Sequence, residues 1–84
     1  MTRCMLSWSN DPGLQDLVEL ENVLMGILEE HGVPYYDMVW GDGNVSVDGG
    51  MMDAEGAEAL IREVYERASS GALRLTDVTG AFDI

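Results

Sequence analysis

The chain has 84 residues, with sixteen Asp and Glu against four Arg, no Lys, and a formal net charge of −12. A surface this negative repels nucleic acid and anionic membrane and attracts basic surfaces, which excludes direct nucleic-acid binding and membrane adhesion. A hydrophobic content of 46% is ordinary for a globular protein, so the charge does not signal disorder, and the length suits one domain over residues 1–84.

Cys4 is the only cysteine, which leaves neither an intrachain disulfide nor a multi-cysteine zinc site and suits a reducing cytosol. The first residues lack the apolar run of a signal peptide, and no segment reaches bilayer length, so the expected location is the cytoplasm.

Residues 3–8, rich in Cys, Met, Leu and Trp with rough alternation, predict a first strand. Ser9-Asn10-Asp11-Pro12-Gly13 breaks it. Asp11 is the expected cap of a helix whose first position is Pro12. That helix runs to about His31 and stops at Gly32, with Pro34 as a second stop signal. Residues 33–40 predict a second strand and residues 45–48 a short third one, joined by the hairpin Gly41-Asp42-Gly43-Asn44. After Gly49-Gly50, Asp53 caps a second helix over 54–69, closed by Gly71, and residues 73–78 predict a last strand.

The order β-α-β-β-α-β implies an α+β fold, a ferredoxin-like sandwich of four antiparallel strands with both helices on one face. Right-handed crossovers put strands one and three in the centre and two and four at the edges. Pro34 agrees, because proline is tolerated on an edge strand.

The two helices differ. In the second, Ala57, Leu60, Ile61, Val64 and Ala68 make one narrow apolar stripe. Glu58–Arg62 and Glu63–Arg67 fall at supportive spacing on its charged side. The first helix is apolar over well more than half its circumference, at about 100° per residue. Its wide arc is expected either to wedge between sheet and second helix or to lend Leu14, Val18 and Met25 to a partner or second subunit. Glu21 falls inside this arc, where a carboxylate needs a partner or a path to water.

No constellation spells out a reaction. Asp42, Asn44, Ser46, Asp48 and Asp53 approach the spacing of a calcium loop, but Val47 stands where glycine is needed and Asp53 replaces the bidentate Glu. Cys4 and His31 would meet where the first helix returns to the start of the first strand. No oxyanion turn or third member accompanies them, and a small buried hydrophobe and a helix-end donor explain them better. Tyr35 and Val39 are expected on the open sheet face beside Met5 and Ser7, like the base-stacking aromatics of RNA-recognition modules. The basic residues such binding needs are missing. Phosphate-loop and dinucleotide motifs are absent as well.

These readings predict no catalytic residue, metal or cofactor. The expected function is a small acidic protein-binding module, an inhibitor that docks on a basic, nucleic-acid-binding protein. Its partner-binding carboxylates are Glu55, Glu58, Glu63 and Glu66 on the second helix, with Asp42 and Asp48 flanking the hairpin. In size and charge the chain is similar in character to phage-encoded inhibitors, among them anti-CRISPR proteins that imitate DNA, a likeness carried by no motif. The alternative is a ferredoxin-like regulatory or ligand-binding domain that forms a homodimer through Leu14, Val18, Met25, Tyr35 and Val39.

Overall fold

The structure is a computed structural model that describes residues 2–50 and 52–83. Its elements follow in the order β1 (Thr2–Ser7), α1 (Leu14–Glu30), β2 (Tyr36–Gly41), β3 (Asn44–Gly49), α2 (Ala54–Ser70) and β4 (Thr79–Asp83). They form one antiparallel sheet in the order β2-β3-β1-β4, which puts β1 and β3 in the centre as expected. Cys4, Leu6, Val45 and Val47 point to one face of the sheet. There they pack with Leu20, Leu24 and Leu28 of α1 and with Ala57, Leu60 and Val64 of α2. Their neighbours Arg3 and Met5 stay exposed on the other face. Both helices therefore cover the same side, and the arrangement is the ferredoxin-like α+β sandwich. Each fully buried Leu contributes roughly 2 kcal/mol by area removed from water.

The start of α1 departs from expectation. Gly13, with extended backbone, stands at its N-cap and no side chain caps the helix. Asp11 is left exposed ahead of it, while Asp16 in the first turn accepts the backbone N–H of Arg74 at 3.3 Å. The far end follows its sequence signals. Gly32 takes φ +68°, its N–H reaches the Glu29 carbonyl, and the Val33 N–H reaches the Leu28 carbonyl. Those bonds make a Schellman closure, sealed by the buried pair Val33 and Leu28. Because Val33 is used there and Pro34 has no N–H, β2 begins at Tyr36 and not at Val33.

The hairpin places Trp40 opposite Val45 and Gly41 opposite Asn44, with Asp42 and Gly43 alone in the turn and φ +79° at Gly43. At the start of α2, the Asp53 carboxylate accepts the Gly56 N–H at 2.8 Å, the expected cap. Asp53→Ala is expected to cost about 1 kcal/mol, read as a lower urea midpoint with an unchanged slope.

The last strand is a correction. Residues 73–78 are not in the sheet; β4 is Thr79–Asp83. Leu73 and Leu75 are buried and alternate with exposed Arg74 and Thr76, which imitates a half-buried strand. Their backbone is instead tied to the segment before α1. The Asn10 side chain donates to the Arg74 carbonyl at 2.7 Å and accepts from the Thr76 N–H at 3.0 Å. Asp77 then takes φ +51°, and the chain turns into the sheet edge. There Gly80 lies so close to Ile61 that a Cβ would approach its Cγ2 to 2.7 Å. A strand with glycine at its inward position has little hydrophobic pattern to betray it.

Candidate functional site

Carboxylates lie on several sides of the molecule, and arginine neutralises few of them. Among the described residues only two ion pairs form, Arg67 with Glu63 at 2.8 Å and Arg3 with Asp48 at 3.7 Å. The expected Glu58–Arg62 pair does not form. Glu55, Glu58 and Glu66 are exposed along the outer side of α2. Glu63 is half-buried and held by Arg67 in a groove between the helices, which Glu19 and Glu30 of α1 also line. This acidic groove extends the face of α2 onto α1.

Asp42 and Asp48, expected to flank the hairpin, lie on different parts of it. Asp42 sits exposed in the turn, while Asp48 lies near the other end of β3 on the open face. Across the four strands the register aligns Asp37, Asp48, Arg3 and Asp83 in one row. Residues directly opposite share a face, so three carboxylates and one guanidinium cross the sheet at steps of about 4.8 Å. Asp48 Oδ1 is buried there without a hydrogen-bond partner. The row is invisible in the sequence because it depends on register.

The apolar residues assigned to a dimer patch also separate. Val39, 65% exposed, lies on the open face in a row with Ser46, Met5 and Ala81. Tyr35, 83% exposed, precedes β2. Leu14 and Val18, 78% and 50% exposed, belong to a different surface, the groove where the first half of α1 faces the hairpin. Met25 continues their strip along the helix two turns on. Trp8, Trp40 and Glu21 line the groove beside Leu14 and Val18. Glu21 is exposed, so it keeps its water. The wide apolar arc allowed exposed helix surface without requiring it, and Trp8 and Trp40 read only as strand residues.

The spacing that approached a calcium loop is spread along β3, with Val45 and Val47 buried in the core. Among the described residues no group of three or more His, Cys, Asp or Glu is disposed to hold a metal ion. His31 is exposed at the end of α1 beside Gly56, whereas Cys4 is fully buried on β1. Burial pushes the Cys4 thiol up to about 11 from 9.0, the reverse of an activated nucleophile.

That shift has a consequence for stability. The unfolded thiol ionises near pH 9 while the folded one keeps its proton to about 11, so the folded state binds more protons between these values. Stability should fall as pH rises through this window, and Cys4→Ala should flatten that part of the profile. Alkylation of Cys4 near neutral pH should proceed only with unfolding. Ready alkylation of the native protein would contradict the burial.

Among the described residues no helix is long and apolar enough to cross a membrane. No known protein family, no curated protein and no solved structure matches the chain.

Proposed function

We infer that the protein is a non-catalytic, protein-binding module that docks through its carboxylates on a basic partner of the nucleic-acid-binding kind and inhibits it by occupying its phosphate sites. The observation that carries this reading is the helical surface. Glu55, Glu58 and Glu66 are exposed with no arginine in ion-pair range, and Glu19, Glu30 and Glu63 line the adjoining groove. Carboxylates held on rigid helices can accept from lysine and arginine donors built for phosphate oxygens. Such a module works in the reducing cytosol, consistent with the single buried thiol.

Capture from a lysate at low salt, followed by elution with duplex DNA, tests the reading. A captured nucleic-acid-binding protein that DNA releases, and whose DNA binding the module suppresses, supports it. Capture that DNA leaves untouched, or no capture at low salt, overturns it.

A further inference from the structure

The groove between α1 and the hairpin has a volume of about 270 Å³ and combines two kinds of wall. One is apolar: the indoles of Trp8 and Trp40, with Leu14 and Val18. The other is anionic: Asp11, Glu21 and Asp42 line the same groove, and no arginine does. Trp8 is 7% exposed, and its indole Nε1–H is buried without an acceptor.

We propose that this groove receives an arginine of the docked partner's polypeptide, together with an apolar residue beside it; the inference rests on the protein-binding reading above. The guanidinium is held by Glu21, Asp42 and Asp11. The aliphatic stem and the apolar neighbour lie against Trp40, Leu14 and Val18. Arginine suits both walls, since its flat cation stacks on indole faces and pairs with carboxylates. A purely apolar occupant would desolvate three carboxylates without compensation. An anionic occupant would meet like charge, and so would a second copy of this chain with its net −12.

The chain has only two tryptophans and both line the groove, so indole signals report on it directly. The probe is the blocked tripeptide acetyl-leucyl-arginyl-leucine amide, titrated into the full chain. Tryptophan emission and the two indole N–H resonances are followed. The expected result is saturable binding that shifts the tryptophan emission and the indole N–H resonance of Trp40, the more exposed of the two. Binding should weaken about tenfold when citrulline replaces the arginine or when the protein carries E21Q and D42N.

Silent indoles overturn the proposal, as does equal binding of the citrulline peptide or by the E21Q/D42N protein. Self-association that buries both indoles without peptide would give the groove to a second copy and overturn it too. The two readings fail separately. Tripeptide binding by a chain that captures no basic protein keeps the groove and removes the inhibitor. Capture of a basic protein with silent indoles does the opposite.

Discussion

Reversing Glu58, Glu63 and Glu66 to lysine should weaken binding to a basic partner on the order of a hundredfold or more. Each lost carboxylate removes up to about 1 kcal/mol of charge pairing, and each new lysine adds repulsion of similar size. The sum is roughly 3 kcal/mol or above, which is about two decades in Kd. The fold should hardly notice. Glu58 and Glu66 are exposed, and only Glu63 has a partner, the surface bond to Arg67 at 2.8 Å. Losing that pair costs a few tenths of a kcal/mol to about 1. Three reversals also bring the formal charge from −12 to −6, which relieves self-repulsion. Titration against the isolated partner, alongside thermal melting, reads both quantities. Binding that survives the triple change would mean that these glutamates are only a solvated face.

Leu73→Ala should destabilise the protein by about 3 kcal/mol, as much as truncating a leucine at the centre of either helix. Leu73 lies outside every regular element, yet it is 1% exposed and belongs to the same core as Leu24 and Leu60. Its own N–H reaches the Arg67 carbonyl at 3.1 Å, so the segment closes α2 and plugs the core together. For a domain of this length, about 3 kcal/mol corresponds to a fall in Tm of roughly 10–20 °C. Leu75→Ala should follow in the same direction. A loss under about 1 kcal/mol at Leu73 would mean that residues 73–78 are an exposed loop, contrary to this packing.

Those two leucines also mark the boundary between what was legible in the chain and what was not. Helix ends announced themselves through local chemistry, the Asp53 carboxylate and the positive-φ glycines Gly32 and Gly71, which act within a few residues. The hairpin did the same through Asp42-Gly43. The last strand failed because apolar alternation reports burial, and burial here came from a segment whose hydrogen bonds run to the side chain of Asn10. Capping failed at Asp11 because Asn10 and Asp16, which flank it, bind residues 74–76, a tertiary contact no local pattern reveals.

The candidate surfaces divide in the same way. That α2 carries exposed glutamates followed from helical periodicity alone. That Glu19 and Glu30 join Glu63 needed the helix pairing, and the row Asp37, Asp48, Arg3, Asp83 needed the strand register. The broad arc of α1 left open whether Leu14 and Val18 were wedged into the core or exposed, and the structure leaves them exposed. Their companions, Trp8 just after β1 and Trp40 in β2, are distant in sequence, so only the fold assembles the groove.

The most direct test of electrostatic docking is the dissociation constant of the complex measured between about 50 and about 200 mM salt. If the carboxylates stand in for phosphates, the logarithm of the affinity falls linearly with the logarithm of salt concentration, and the slope becomes shallower in the Glu58, Glu63, Glu66 variant. An affinity indifferent to salt, with the same value in wild type and variant, would contradict the account.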